Sequence, residues 1–361
     1  MAKVRARLVA AAALLAGSLA VTVGGAEAAV LSCGQTINVS TVLENDVGPC
    51  NAGGITIGAD NITFDLNGHT IFGVPPALDL AGVYLLGRTG VTVKNGTVRN
   101  FDVGVAIEGG SGNTVTGIVA RDNIGASTGI GGDGIAILSS SENRIIGNST
   151  INNAPFSGIG IYSRIDANHG RATAGRSTNN LVDGNQVVGN KIGRNRFTTQ
   201  DTDNDGIRIE NDGVANVISN NFVYDSGLDG IALFADNFDT IVRGNTVQRN
   251  GFYRTTARRG SGIIVFNRGA RNVVESNQVI GNADSGIDIR GVLGVNAGAT
   301  AGRIVNNTAV GNSALPFIPS PVFGPSFDLK DGNVNCDANT WLGNRYRTFN
   351  QPCVTTGGQQ V

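Results

Sequence analysis

Residues 216–233 read NVISNNFVYDSGLDGIAL, and this stretch contains both phrases from which the rest of the chain is built. In the first phrase apolar residues alternate with polar ones, and Asn216 and Asn221 lie five positions apart. In the second phrase Asp229 and Gly230 precede an Ile-x-Leu string. Short alternating runs predict β-strands, and Gly and Asn predict turns between them because both accept left-handed backbone angles.

Both phrases recur along the chain, which is the signature of a repeat architecture. The second phrase returns as GVAI at 104, GIAI at 134, GIGI at 158, GIRI at 206, GIAL at 230, GIIV at 262 and GIDI at 286. The first phrase, with the form N-x-V-x-x-N-x-V-x-x-N, returns at 143, 180, 216, 240, 272 and 303. Successive second phrases are 30, 24, 48, 24, 32 and 24 residues apart, which fits a unit of 24 residues with insertions of different length.

Each unit offers about three short strands but cannot bury its own apolar face. Stacked units can do so, with Ile over Ile inside and Asn over Asn forming hydrogen-bonded ladders at the turns. No helical period stands out beyond the first residues, and 53 glycines argue against a core of mixed helices. The sequence therefore predicts an all-β chain that forms a parallel β-helix of roughly ten coils.

This pattern closely resembles the right-handed parallel β-helix repeat family, which includes pectate-lyase-like and polygalacturonase-like enzymes and the NosD-like exported proteins. The opening CGQTINVSTVLENDVGPCNAGGITIGADNITFDLNGHTI, residues 33–71, is similar to the N-terminal part of NosD-like members. The resemblance covers roughly residues 33–350 and implies a single right-handed solenoid. It implies less about function, because one fold hosts many activities.

The first 28 residues have the composition of a secretory signal peptide cut near Ala28: three basic residues, an apolar run over 8–23 and small residues at 26–29. We expect the exported chain, 29–361, to be one β-helix domain. Its N-terminal cap and first coils would occupy 29–100, regular coils with insertions 101–312, and the last coil with the C-terminal cap 313–361.

Without the leader the chain has 24 basic against 27 acidic residues, a balance that does not favour nucleic acid as a partner. No later segment is apolar for long enough to span a bilayer. We expect a monomer, secreted or periplasmic.

Four cysteines lie in two pairs near the ends of the chain, and each pair is separated by 17 positions. An exported chain favours disulfides, and three connectivities are formally possible. In a solenoid of roughly ten coils that rise about 4.8 Å each, the two ends lie far apart. Since bridged Cα atoms must lie within about 7 Å, we expect Cys33–Cys50 and Cys336–Cys353 to close the two caps.

Side chains alternate across a strand, so the two x positions of G-I-x-I-x point away from the core. Coil by coil these outward pairs are Ala106 and Glu108, Ala136 and Leu138, Gly160 and Tyr162, Arg208 and Glu210, Ala232 and Phe234, Ile264 and Phe266, Asp288 and Arg290, and finally Asp328 and Lys330. Large side chains therefore cluster along one exposed strip.

An exposed strip of aromatic and charged side chains is typical of polysaccharide binding, because rings pack on apolar sugar faces and Arg pairs with uronate carboxylates. The predicted substrate-binding residues are Tyr162, Phe234, Phe266, Asp288 and Arg290. Long insertions beside the strip would form its walls. A structural alternative stays open, in which the insertions cover these rings as a satellite core.

The segment TTQDTDNDGIRIEND, residues 198–212, opens like a calcium-binding loop. Asp205 and Asp229 belong to the repeat, where a short oxygen-bearing side chain before Gly serves the turn, whereas Asp201 and Asp203 are additions to it. Neighbouring coils would bring Asp205 and Asp229 to about 4.8 Å. These four carboxylates are the predicted calcium ligands, with a solvated acidic loop as the alternative.

Two functions of different class follow. The first is a calcium-assisted polysaccharide lyase or epimerase that acts on uronate-containing glycans, with Arg208 as base or neutraliser and Glu210 orienting it. The polygalacturonase-like strings N-T-D, D-D, G-H-G and R-I-K and the epimerase-like D-P-H string are missing, which favours the second: a non-catalytic protein that binds acidic polysaccharide or cell-wall glycans, or a surface scaffold.

The NosD-like resemblance also implies a role in copper delivery. Copper prefers Met, His and Cys ligands, and the exported chain has no Met, two separated His and four Cys that disulfides explain better.

Overall fold

The computed structural model describes residues 25–75, 80–125, 131–163, 175–190, 204–252, 260–266, 268–291, 298–314 and 325–361. Their strands, numbered β1 to β33 in chain order, pair in parallel and stack into three columns, which we call sheets 1, 2 and 3. Most of the predicted leader lies outside the described residues. Within them, no helix is long and apolar enough to cross a membrane.

Sheet 1 carries the G-I-x-I-x phrases. Its strands are β2 (Thr36–Ile37), β5 (Ile55–Ile57), β8 (Ala81–Leu86), β10 (Val103–Glu108), β12 (Ile135–Leu138), β15 (Ser157–Tyr162), β18 (Asp205–Glu210), β21 (Ile231–Phe234), β24 (Ile263–Phe266), β27 (Ile287–Arg290) and β30 (Leu329–Asp331). The eleven described strands agree with the prediction of roughly ten coils.

Sheet 2 carries the first half of each Asn-rich phrase. Its strands are β1 (Glu27–Ala29), β3 (Thr41–Leu43), β6 (Thr63–Asp65), β9 (Thr92–Arg99), β11 (Thr114–Arg121), β13 (Arg144–Ile146), β16 (Leu181–Asp183), β19 (Val217–Ser219), β22 (Ile241–Arg243), β25 (Val273–Glu275), β28 (Arg303–Val305) and β31 (Thr340–Leu342).

Sheet 3 carries the second half of the phrase. It contains β4 (Val47–Cys50), β7 (Thr70–Gly73), the ends of β9 and β11, β14 (Ser149–Ile151), β17 (Gln186–Val188), β20 (Phe222–Tyr224), β23 (Thr246–Gln248), β26 (Gln278–Ile280), β29 (Thr308–Val310), β32 (Arg345–Tyr346) and β33 (Gln359–Gln360). Because β9 and β11 run through both columns, sheets 2 and 3 join into one 22-stranded sheet. Two short 3₁₀ turns, Val334–Cys336 and Pro352–Thr355, lie in the C-terminal cap.

The core lies between the sheets and repeats from coil to coil. Ile207 aligns with Ile231 in sheet 1, Ile218 with Val242 in sheet 2, and all four side chains are fully buried. An isolated coil would expose apolar residues on the two sides that face its neighbours, so each coil is stabilised mainly by burial against the neighbouring coils.

Asparagine ladders close the turn between sheets 2 and 3, as the sequence predicted. The side chain of Asn221 accepts hydrogen bonds at Oδ1 from the backbone N–H and the Nδ2 of Asn185, both at 2.9 Å, and donates to Asn245 Oδ1 at 3.0 Å. The same ladder runs through Asn148, Asn185, Asn221, Asn245, Asn277, Asn307 and Asn344.

Glycine has two separate roles, and the sequence revealed only one of them. Gly184 has a φ of +63° with open space around it, as expected for a left-handed turn. Gly230, in the D-G phrase, has no positive φ, but a Cβ there would lie 2.3 Å from Val247 Cγ1 and 2.7 Å from the Gly262 carbonyl oxygen. Gly104, Gly134, Gly206, Gly262 and Gly286 make equally close approaches to the carbonyl of the next coil, and we call this column the glycine seam.

Both caps are closed by the disulfides that the solenoid geometry predicted. Cys33 bridges to Cys50 and Cys336 to Cys353, with Cα–Cα distances of 5.5 and 6.1 Å. No cysteine is left free.

The last coil follows a different register from the one expected. Lys330 aligns with Asp288 and faces outward, but Asp331 aligns with Ile289 and points into the core. Asp331 accepts hydrogen bonds from Trp341 Nε1 at 2.9 Å and Asn339 Nδ2 at 3.1 Å, and burial raises the pKa of its carboxyl. Asp328 does not face outward as predicted, because its Oδ1 accepts two hydrogen bonds from Asn312.

Candidate functional site

The side of sheet 1 that points away from the core is called the outer face below, and two columns of side chains run along it. The register aligns Ala106, Ala136, Gly160, Arg208, Ala232, Ile264, Asp288 and Lys330 in the first column, and Glu108, Leu138, Tyr162, Glu210, Phe234, Phe266 and Arg290 in the second. The predicted strip therefore exists as an alignment, but it is not the exposed surface that the sequence predicted. Arg208 and Tyr162 are 1% exposed and Asp288 is fully buried.

Arg208 is the centre of the first charged cluster. Its Nε donates to Glu210 Oε2 and its terminal nitrogen to Asp205 Oδ2, both at 2.7 Å, and its guanidinium lies 4.3 Å from the centroid of the Phe234 ring. Glu210 and Arg208 are thus in direct contact. Charge-assisted hydrogen bonds to both carboxylates also hold the guanidinium in a buried, low-dielectric environment. Burying either carboxylate there without the guanidinium would cost free energy.

Phe234 and Phe266 form the aromatic part of the site. Their ring centroids are 4.8 Å apart with planes 19° from parallel, and both side chains are half-buried. An offset stack of this kind presents one continuous apolar surface. The two rings follow Glu210 along the second column, as the sequence predicted.

Tyr162 has the alignment predicted for it but different surroundings. It packs with Val103, Ala106, Ala136 and Leu138 in a second hydrophobic cluster outside the main core. Its hydroxyl donates to Asp133 at 2.9 Å, and burial, followed by the charge of Asp133, raises its pKa well above 10.0. The prediction of Tyr162 as an exposed ring is therefore wrong, because the ring is buried in this second cluster.

A second charged cluster lies three coils beyond Arg208, about 14 Å further along the sheet. Arg290 pairs closely with Asp288 and lies 3.4 Å from Asp284, while Lys330 lies 3.7 Å from Asp288. Burial alone would lower the pKa of the Arg290 guanidinium, but Asp288 and Asp284 outweigh it and hold the pKa above its ordinary value. Asp284 was not predicted as a site residue, because it precedes the G-I-x-I-x phrase and does not occupy a recurring position of the repeat.

The two clusters carry more negative than positive charge. Asp205, Glu210, Asp284 and Asp288 provide four carboxylates against the three cations Arg208, Arg290 and Lys330. Each of these cations already lies beside at least one carboxylate. The described clusters therefore offer a polyanion no excess of positive charge.

Of the four predicted calcium ligands, Asp201 and Asp203 lie outside the described residues. Asp205 uses one oxygen for Arg208 and the other for the backbone N–H of Asp229, and Asp229 accepts from the backbone N–H of Ser261 at 2.6 Å. These bonds agree with the interpretation of D-G as scaffold. Within the described part of the chain, no three or more His, Cys, Asp or Glu side chains form a group that could hold a metal ion.

Two protein families match this chain. The family described as periplasmic copper-binding protein (NosD) matches residues 61–253, more than half of the sequence, and the family described as right-handed beta helix region matches residues 187–359. No curated protein is significantly similar to the sequence.

Solved structures share the fold at low sequence identity. The Agl-KA catalytic domain is 14% identical with a TM-score of 0.59, over 91% of this chain and 61% of that one. The Dettilon tailspike protein is 18% identical with a TM-score of 0.55, over 86% of this chain and 55% of that one. The periplasmic alginate epimerase AlgG is 13% identical with a TM-score of 0.54, over 90% and 78%. The chain thus spans little more than half of the tailspike, and these likenesses concern the fold alone.

Proposed function

The chain belongs to the NosD family of right-handed parallel β-helix proteins, and from this starting point we propose that it is an exported protein that contacts an extracellular polysaccharide. The contact surface is the outer face of sheet 1. Two disulfides support export to an oxidising compartment, secreted or periplasmic.

The observation that carries this proposal is the half-buried Phe234–Phe266 pair with a cluster of ion pairs on each side. The coil does not need these side chains for its core, which the inward residues already fill. Charged groups with little exposure beside aromatic rings, on a rigid scaffold, are typical of a binding or catalytic surface. The solved epimerase and tailspike share the scaffold, which makes a glycan the natural class of ligand to test.

The geometry supports binding better than elimination chemistry. In a lyase or epimerase a cation must neutralise the uronate so that a base can remove the neighbouring proton. Arg208 is the predicted neutraliser, yet Asp205 and Glu210 already take up its charge. A calcium-assisted lyase or epimerase is the second candidate, favoured by the pairing of Arg208 with Glu210, with calcium at Asp201, Asp203, Asp205 and Asp229.

Copper binding, which the family description mentions, does not fit the donor set of this chain. All four cysteines are in disulfides, and Met1 is the sole methionine. Of the two histidines, His69 lies 3.2 Å from Asp46, and His169 is outside the described residues. Soft sulfur ligands for copper are therefore lacking.

The test is affinity electrophoresis of the exported chain against alginate, polygalacturonate, xylan and a β-glucan, with calcium and then with chelator. Phe234→Ala should weaken binding roughly tenfold, the loss of one ring contact worth about 1.4 kcal/mol. Phe222→Ala, which removes an exposed ring from sheet 3, is the matched control and should bind as the wild type does. Equal loss in both variants, or no binding to any polymer, would refute the proposal.

The same incubations separate the two candidates. Unsaturated products raise the ultraviolet absorbance during elimination, and an epimerase is followed by the uronate composition of the polymer. Binding without either change supports the non-catalytic function. A calcium-dependent change that is lost in Arg208→Gln would establish the enzyme.

A further inference from the structure

The outward side of sheet 3 is a second surface of the molecule, on a different side of the coil from the outer face of sheet 1. From β14 to β29 six strands align without a register shift, and each presents two outward side chains. None of these side chains is buried, and none carries a charge. We call this surface the sheet 3 face; its first column is Ser149, Gln186, Phe222, Thr246, Gln278 and Thr308, and its second column is Ile151, Val188, Tyr224, Gln248, Ile280 and Val310.

The lack of charge is a local property of this face. Charged residues make up 15% of the chain, and the same two columns carry Arg99 and Arg121 before β14 and Arg345 after β29. Between them, amides, hydroxyls and apolar groups take every outward position. These positions offer a charged ligand no opposite charge, so charge complementarity favours an uncharged partner.

Two aromatic rings lie at the centre of the sheet 3 face. The ring centroids of Phe222 and Tyr224 are 6.0 Å apart, with planes 8° from parallel, and Phe222 is 37% exposed. In the neighbouring coils Gln186 and Thr246 flank Phe222, and Gln248 is next to Tyr224. Rings pack on the apolar sides of sugars, and amide and hydroxyl groups donate to and accept from sugar hydroxyls. This combination is suited to a neutral, hydroxyl-rich surface.

Hydrogen-bonded ladders hold this face rigid along both of its edges. Asn221 donates to Asn245 at 3.0 Å on one edge, and Asn250 donates to Asn282 at 2.9 Å on the other. A rigid surface loses little conformational entropy on binding, and the same holds for a rigid ligand. A dissolved polysaccharide chain loses flexibility when it binds, whereas a chain packed in a solid has already lost it. The sheet 3 face is therefore better suited to a solid than to a dissolved chain.

The dimensions of the face disfavour a second copy of this chain as the partner. Six strands at about 4.8 Å span about 24 Å, and the two columns lie about 7 Å apart. With its side chains the patch covers roughly 300 Å², whereas a stable dimer buries about 800 Å² on each partner.

We propose that the sheet 3 face adsorbs this protein to the surface of a solid, uncharged polysaccharide. The apolar sides of the sugars lie against Phe222 and Tyr224, and the sugar hydroxyls face Gln186, Thr246 and Gln248. This inference goes beyond the proposed function, because it concerns another face of the solenoid and another physical form of the polymer. The outer face of sheet 1 contacts dissolved polysaccharide, while the sheet 3 face attaches the protein to the solid.

The test measures how much of the exported chain microcrystalline cellulose and crystalline chitin remove from solution. We expect adsorption to at least one of these solids, and high salt should not reverse it, because salt screens only charged contacts. Phe222→Ala should lower the partition coefficient roughly tenfold. Thr246→Glu should lower it by at least about tenfold, because the new carboxylate would lose water against an uncharged solid.

A matched control comes from another sheet. Leu342→Ala removes an apolar side chain that is 48% exposed on sheet 2, and it should adsorb as the wild type does. Circular dichroism checks that each variant keeps the fold. Phe222→Ala should still bind dissolved polymer in affinity electrophoresis, as expected of a separate face.

Four results would each overturn the inference: no adsorption to either solid, release by high salt, equal loss in Phe222→Ala and Leu342→Ala, or a dimer in sedimentation velocity that Phe222→Ala dissociates. The last result would show that the face binds a second copy of the chain. Binding of dissolved polymer that depends on Phe234 would survive any of these results, so the failure of this inference is distinguishable from that of the proposed function.

Discussion

Replacing Asn221 by Ala tests whether the asparagine ladder stabilises the solenoid. The side chain of Asn221 takes part in four hydrogen bonds: two that it accepts from Asn185, one that it donates to the Val182 carbonyl at 3.0 Å and one that it donates to Asn245. After truncation Asn185 Nδ2 keeps the Ile145 carbonyl as a partner, at 2.8 Å. The buried backbone N–H of Asn185 is the group that loses its acceptor.

The magnitude follows from this inventory. A buried donor without a partner costs about 1–3 kcal/mol, and each further lost hydrogen bond contributes about 0.5–1.5 kcal/mol. A group that keeps a second hydrogen-bond partner loses less than this amount, so we expect a decrease of about 3–5 kcal/mol in the free energy of unfolding. The neighbouring Asn220 is exposed with a φ of +54°, and Asn220→Gly should cost about 0.5 kcal/mol or less.

The assay is urea unfolding followed by far-ultraviolet circular dichroism, with the slope compared between variants so that a change in cooperativity is recognised. Amide hydrogen exchange at residue 185 provides a local measure, since protection there should fall in Asn221→Ala and persist in Asn220→Gly. A loss below about 1 kcal/mol with unchanged protection at residue 185 would refute the claim that the ladder stabilises the coil.

Three further predictions concern other parts of the molecule. Gly230→Ala should destabilise the protein by about 1–3 kcal/mol, measured by urea unfolding, because its Cβ would meet the next coil, whereas Gly184→Ala has room and should cost about 1 kcal/mol through its positive φ alone. Burial raises the pKa of Asp331 above 3.8, so the folded protein holds this proton more tightly than the unfolded chain. The contribution of Asp331 to the free energy of unfolding should therefore fall as pH rises from 3.8 through the folded-state pKa. In Asp331→Asn the pH dependence of the unfolding midpoint over this range should lack this contribution. If the four predicted carboxylates hold calcium, the thermal midpoint should rise with calcium concentration and fall with chelator, and a midpoint that does not move in either direction would remove calcium from this site.

The fold was readable from the sequence because its determinants are local and repeated. The I-x-I and N-x-V phrases recur with the spacing of a coil, so stacking, asparagine ladders and cap disulfides follow from one geometry. The register of the last coil was predicted incorrectly, because FDLKD lacks the glycine that precedes the I-x-I phrase. Without that marker the register was placed so that Asp328 faced outward, when it is Asp331 that replaces an inward Ile.

The candidate site was only partly readable. Alternation correctly brought Arg208, Glu210, Phe234 and Phe266 together, since direction along a strand is a local property. Exposure is not local, because what lies over an outward side chain depends on segments distant in sequence. Tyr162 was therefore predicted at the surface although it is buried.

The glycine seam also bears on how this chain tolerates change. Because the seam and the asparagine ladders align successive coils, the number of residues between two coils is free to vary, and the phrases are indeed 24 to 48 residues apart. A deep mutational scan should show narrow, regularly recurring bands of intolerance at the seam, separated by broad tolerant segments. Insertions between coils are then exchangeable units, so that ligand preference on the outer face can diverge while the scaffold beneath it stays the same.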